Sequence, residues 1–182
     1  VWIYSRTGGA WEQQGSKLTG TGAVGTAGLG LAIALSSDGN TLLCGGFFDN
    51  SGLGAAWVFT RTGGSWSQQG SKLVGTGAIG LARQGWSVAI SSNGNTAILG
   101  GPFDDTNVGA SWIFTRSEGI WLQQGNKLVA SSANNEANQG RAVSISADGN
   151  TAIIGAPATN SASGAAWVFT RTGNTWLQQG DK

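Results

Sequence analysis

The chain has no histidine, no methionine, one cysteine and few charges. Without histidine, no Ser/His/Asp or Cys/His set can form, and the scattered acids offer no general acid–base pair or metal-ligand cluster. The expectation is a non-enzyme without a cofactor. The single Cys44 excludes an intrachain disulfide. It sits in the apolar run TLLC, where Leu99 and Ile154 stand in later repeats, and it reads as a small buried hydrophobe. Charged residues make up 10% of the chain, against about 25% in ordinary globular proteins. The net charge of +1 gives no footprint for nucleic acid or an anionic membrane. There is no apolar run of about 18 residues, so no spanning helix is expected. No basic start followed by an apolar stretch marks a signal peptide. The missing methionine, absent even at residue 1, leads us to expect a mature or excised piece of a longer chain.

What the chain has in excess is glycine, 32 residues in 182, without a collagen-like triplet period. Glycine, serine and threonine with many aromatics and few helix-favouring runs point to an all-β protein. One stretch recurs four times: VWIYSRTGGAWEQQGSK from Val1, GAAWVFTRTGGSWSQQGSK from Gly54, GASWIFTRSEGIWLQQGNK from Gly109 and GAAWVFTRTGNTWLQQGDK from Gly164. Its first tryptophans, Trp2, Trp57, Trp112 and Trp167, are 55 residues apart each time. A fixed period of this length marks a repeat architecture.

Each unit holds four strand-like runs. The first is GLAIALS (Gly30–Ser36), GWSVAIS (Gly85–Ser91) or GRAVSIS (Gly140–Ser146). Turns at Asp38-Gly39, Asn93-Gly94 and Asp148-Gly149 follow, read as two-residue hairpins with positive φ at both central positions. The second run starts at Thr41, Thr96 or Thr151. A polar loop (FFDNSGL, PFDDTNV or PATNSAS) leads to the third, AWVFTR and its variants. A second tight turn, at Gly8-Gly9, Gly63-Gly64, Glu118-Gly119 or Gly173-Asn174, leads to the fourth, WxQQG. Four local antiparallel strands per unit describe one propeller blade. The small residues of the first strand suit a crowded axis, and the polar fourth strand suits an outer edge. The expected fold is therefore a β-propeller of four-stranded antiparallel blades. Residues 1–18 form a half blade (third and fourth strands), and 29–73, 84–128 and 139–182 form full blades, about three and a half in all. A two-sheet sandwich would leave the unbroken period unexplained.

The residues GRAVSISADGNTAIIGAP (Gly140–Pro157) followed by GAAWVFTR (Gly164–Arg171) resemble the FG-GAP repeat family of integrin α-subunit propellers and bacterial surface proteins. The Phe-Gly of the family's name becomes Leu29-Gly30, Gln84-Gly85 and Gln139-Gly140. Its Gly-Ala-Pro becomes Gly45-Gly46-Phe47, Gly100-Gly101-Pro102 and Gly155-Ala156-Pro157. The resemblance implies an extracellular or cell-surface binding or adhesion module. The other class kept open is a structural subunit of an extracellular filament or surface assembly. Calcium-binding members carry an Asp-rich loop between the first two strands. Here it has shrunk to SSDGN, SSNGN and SADGN, too few oxygens for a calcium ion, and no metal is expected there.

Arg6, Arg61, Arg116 and Arg171 lie across the second tight turn from Trp11, Trp66, Trp121 and Trp176. Counting outward from the turn makes each Arg–Trp a directly opposed cross-strand pair. The pairs read as a repeated structural clasp or as an aromatic platform for glycans. Asp49-Asn50, Asp104-Asp105 and Asn107 gather in the loop after the second strand, with only Asn160 in the last repeat. Turn formation explains them, and a weak metal or sugar site at Asp49, Asp104 and Asp105 is the other reading. The glycine patterns Gly20–Gly25 and Gly75–Gly80 match a dinucleotide fingerprint, but no helix follows them, and the match is accidental. The expected partners are other protein, as flanking blades of a longer chain or further copies of this one, and secondarily glycans.

Overall fold

A computed structural model describes residues 1–131, 133, 136–159 and 163–181 of the chain. Among these, the strands form one two-stranded and three four-stranded sheets, all antiparallel. The two-stranded sheet pairs β1 (Tyr4–Thr7) with β2 (Ala10–Gln13). The next holds β3 (Ile33–Leu35), β4 (Thr41–Gly46), β5 (Ala55–Thr62) and β6 (Ser65–Gln68) in that order. The same order recurs in β7 (Ser87–Ile90), β8 (Thr96–Gly101), β9 (Ala110–Ser117) and β10 (Ile120–Gln123). It recurs again in β11 (Ala142–Ile145), β12 (Thr151–Ala156), β13 (Ala165–Thr172) and β14 (Thr175–Gln179). First strands lie side by side, β3 against β7 and β7 against β11, so the sheets fan outward from them as propeller blades.

The core lies between blades. Leu43, Ala56 and Val58 of the second sheet pack on Ala97, Leu99, Trp112 and Phe114 of the third. Ile98 and Ile113 of the third sheet pack in turn on Ile154, Trp167 and Phe169 of the fourth. The alternation explains the unbroken apolar runs of the second and third strands, because both faces of a blade are covered. Glycine permits the closest approach. A Cβ on Gly45 would sit 1.9 Å from the carbonyl oxygen of Gly85 in the next blade.

The two kinds of tight turn differ. Gly8-Gly9, Gly63-Gly64 and Glu118-Gly119 all take positive φ at both positions, the two-residue form expected for hairpins. At Asp38-Gly39, Asn93-Gly94 and Asp148-Gly149 only the glycines do, with φ of 67, 69 and 73°. This corrects the expected turn type. The Gly39 N–H closes on the Ser36 carbonyl, and the Asp38 carboxylate accepts from the Ser36 hydroxyl and the Asn40 N–H. The side chain thus stabilises a longer turn that the Asp-Gly dipeptide alone does not specify. The polar loops also hold short helical turns at Asp49–Gly52 and Asp104–Asn107, each interrupted by left-handed residues.

Glu118 holds φ of 51° where the other repeats have glycine. A side chain there costs roughly 1–2 kcal/mol, partly offset by the backbone freedom that glycine loses on folding. Glu118→Gly is expected to raise the unfolding free energy by about 0.5–1 kcal/mol. A urea titration in which the midpoint falls would refute this.

Candidate functional site

Every Arg–Trp pair is directly opposed: Arg6 with Trp11, Arg61 with Trp66, Arg116 with Trp121 and Arg171 with Trp176. In the last three the guanidinium lies over the indole, at 5.6, 5.3 and 5.7 Å from the ring centre. The pairs also reach across the blade boundary. Arg61 Nη1 and Trp66 Nε1 both donate to Gln14 Oε1 of the preceding sheet, at 3.1 and 3.4 Å. Arg116 and Trp121 donate to Gln69, each at 3.0 Å. Arg171 and Trp176 donate to Gln124, at 3.2 and 2.9 Å. Each arginine Nε also donates to an asparagine of its own blade, Asn40, Asn95 or Asn150, at 2.9 Å.

The WxQQG motif therefore divides its labour, and residue types alone did not reveal this. Its second glutamine receives the clasp of the next blade. Its first, Gln68 or Gln123, accepts from the backbone and hydroxyl of Thr21 or Thr76 in the connector. The two ends of the array differ from its middle. Gln179 stands where Gln14, Gln69 and Gln124 stand, but among the described residues its side chain has no hydrogen-bond partner. Among the described residues, the Arg6 side chain donates only to the Gly9 carbonyl beside it, at 3.4 Å. Trp2 and Trp11 are 53% and 68% exposed, while Trp57, Trp112 and Trp167 are fully buried.

The acidic loops are committed inward. Asp49 and Asp104 are buried, their Oδ1 atoms accepting from Val24 N and Ile79 N at 2.7 Å. Their Oδ2 atoms pair with Lys72, at 2.5 Å, and Lys127. Thr159 takes the equivalent place in the last blade, and Asn160 lies outside the described residues. Among the described residues, no three His, Cys, Asp or Glu gather as metal ligands. The Ser36 hydroxyl, then the Asn40 amides, hold the Asp38 carboxyl below the usual range. Ser146 and Asn150 do the same for Asp148. Burial pushes the Cys44 thiol up to about 12, leaving it protonated at neutral pH.

A second group was not legible in the repeat. Antiparallel blades put the turns after first and third strands at one end, and the 2–3 loops and connectors at the other. At that second end Arg83 lies over Phe103, Phe48 and Trp86, at 4.3, 5.6 and 5.9 Å from the ring centres. Arg141 lies over Trp86 at 4.6 Å. Phe47 and Phe103 meet Trp86 edge to face. Arg83 and Trp86 match Gly28 and Leu31 in one repeat, and Asn138 and Arg141 in the next, so no period marks them.

The FG-GAP repeat family matches this chain at residues 121–169. No curated protein matches it. Among solved structures, the chain is similar to Sqt1 of Saccharomyces cerevisiae, with 14% identity and a TM-score of 0.52, over 85% of this chain and 35% of Sqt1. It is also similar to TolB of Acinetobacter baumannii, with 11% identity and a TM-score of 0.51, over 97% of this chain and 36% of TolB. The chain thus spans about a third of the length of each, and at these identities the likeness shows the fold alone. The family match, the repeating four-stranded sheets and the propeller neighbours agree: the chain carries an FG-GAP repeat at residues 121–169, on a sheet array folded as propeller blades.

Proposed function

We propose that the chain is a non-catalytic extracellular module that works by binding other protein, with its end blades as docking faces. The observation that carries this is the pair of complementary ends. Gln179 offers the acceptor that each following blade uses, and Arg6 with Trp11 offers the donors that each preceding blade satisfies. Apolar surface accompanies both. Trp2, Tyr4, Trp11, Ile33 and Leu35 line a cleft of about 480 Å³ beside the N-terminal hairpin. Ile153 is 45% exposed on the last blade, where its counterparts Leu43 and Ile98 in the middle blades are fully buried. Contiguous apolar surface of this kind marks interaction sites. The occupant that fits is a blade of this same repeat, because it would bring the glutamine acceptor and the Arg–Trp donors that the ends use elsewhere.

The second reading, a subunit of an extracellular filament or surface assembly, uses the same ends between copies. A head-to-tail contact that does not close gives an open polymer. We assign the Arg–Trp clasp a structural role, because the guanidinium and indole N–H donors are already used between blades.

The test is the mass of the 182-residue chain in solution, by sedimentation. Aggregation or a defined multimer is expected, weakened by Trp11→Ala. A stable, cooperatively unfolding 18.4 kDa monomer would overturn the proposal.

A further inference from the structure

We propose that Arg83, Arg141 and the aromatic side chains around them form a binding site for carboxylate groups of an acidic peptide segment. The site lies at the opposite end of the blades from the clasp, so it does not depend on the docking faces above. Three independent features meet here.

First, the cations are unspent. Among the described residues, neither arginine side chain has a hydrogen-bond acceptor or a carboxylate at ion-pair distance. By contrast, the clasp arginines Arg61, Arg116 and Arg171 all donate to glutamine and asparagine. Stacking on a ring uses the face of a guanidinium and leaves its in-plane N–H donors free, in the fork that fits a carboxylate.

Second, Arg83 is held at φ of 56°, while its counterparts are Gly28 and Asn138, residue types that tolerate this region. Its N–H donates to the Gly52 carbonyl and its carbonyl accepts from Trp86 N, so the backbone around it is fixed. A strained residue kept in a rigid setting is a mark of a functional site.

Third, the surroundings discriminate between ligand classes. The Trp86 ring has both guanidiniums and the Phe47 and Phe103 rings around it, so a sugar ring would have to compete with two cations for the indole. Arg141 is exposed, Arg83 is half-buried and Phe48 is 47% exposed, so two unpaired cations and an aromatic ring are within reach of a ligand. Carboxylates for the forks and an apolar side chain for Phe48 are what an acidic peptide supplies. Low dielectric beside the rings strengthens such charge-assisted hydrogen bonds.

The experiment is fluorescence anisotropy of a labelled oligoglutamate peptide titrated with the whole chain at low salt. A glycine–serine peptide and an oligogalacturonate are the comparisons. Oligoglutamate is expected to bind, more weakly as salt is raised, and the neutral peptide is not. Arg141→Gln and Arg83→Gln are each expected to weaken binding by about tenfold or more, and Lys17→Gln to leave it unchanged. Arg141 is exposed, so its variant tests the site even if Arg83→Gln perturbs the fold. Arg83→Lys, which keeps the charge and loses the fork, is expected to fall between wild type and Arg83→Gln. Absence of oligoglutamate binding would overturn the proposal. So would an equal loss with Lys17→Gln, which would mean diffuse charge, or tighter binding of the oligogalacturonate, which would make the site a glycan site.

Discussion

Trp112→Ala is expected to destabilise the chain by about 3–5 kcal/mol, the usual cost of emptying a fully buried large aromatic site. Trp112 lies in the cluster between two blades, with Leu43, Ala56 and Val58 on one side and Leu99 and Phe114 on its own sheet. Its Nε1 donates to the Thr76 carbonyl at 2.8 Å. Gly75 and Gly101 lie so close that a Cβ on either would fall 2.1 or 2.7 Å from the indole. Such a slot, cut to an indole, collapses poorly around alanine. Trp121 is only half-buried, and its loss removes one hydrogen bond and one cation–π contact. Trp121→Ala is expected to cost about 1–2 kcal/mol. Urea unfolding of both variants provides the comparison. Equal losses would contradict an inter-blade core that thins toward the outer strand.

Asp104→Ala is expected to cost about 3 kcal/mol, as when one member of a buried ion pair is removed. The carboxylate is fully buried and makes two different connections. One oxygen fixes the connector through Ile79 N, and the other neutralises Lys127, which follows the fourth strand. Deleting it strands a largely buried ammonium and an amide together. Asp104→Ala with Lys127→Met should recover part of the loss, because the unpaired charge is then gone. A loss below about 1 kcal/mol for the single variant would mean that water screens the pair as it does on a surface. The same experiment at Asp49 and Lys72 should give the same pattern, since the geometry repeats.

The last blade offers a natural comparison. Thr159 replaces the aspartate there, and its buried hydroxyl has no partner among the described residues. The polar loops that invited a metal or sugar reading thus hold their blades together through carboxylates that face inward. Composition could not distinguish the two roles, because an aspartate at the start of a turn looks the same whether it points to solvent or to a lysine.

By itself the sequence determined the repeat, the strand order within a blade and the opposed Arg–Trp pairs. These rest on contacts between residues close along the chain: a two-residue turn fixes its flanking register, and 55-residue spacing fixes equivalence. The continuous apolar runs around Trp57 and Trp112 are also in the sequence, and such runs need cover on both faces, where both indoles are fully buried. Only the tertiary structure decided the turn at Asp38-Gly39, because its form depends on side-chain hydrogen bonds from Ser36 and Asn40. Only the tertiary structure gave the glutamines their part, since Gln14 meets Arg61 and Trp66 across a blade boundary. It alone gathered Arg83, Arg141, Trp86 and Phe103. Arg83, Trp86 and Phe103 belong to one unit and Arg141 to the next, where it stands at the position of Trp86, so no recurring residue type marks the group. They meet only because connectors and loops of neighbouring blades converge at one end of the array.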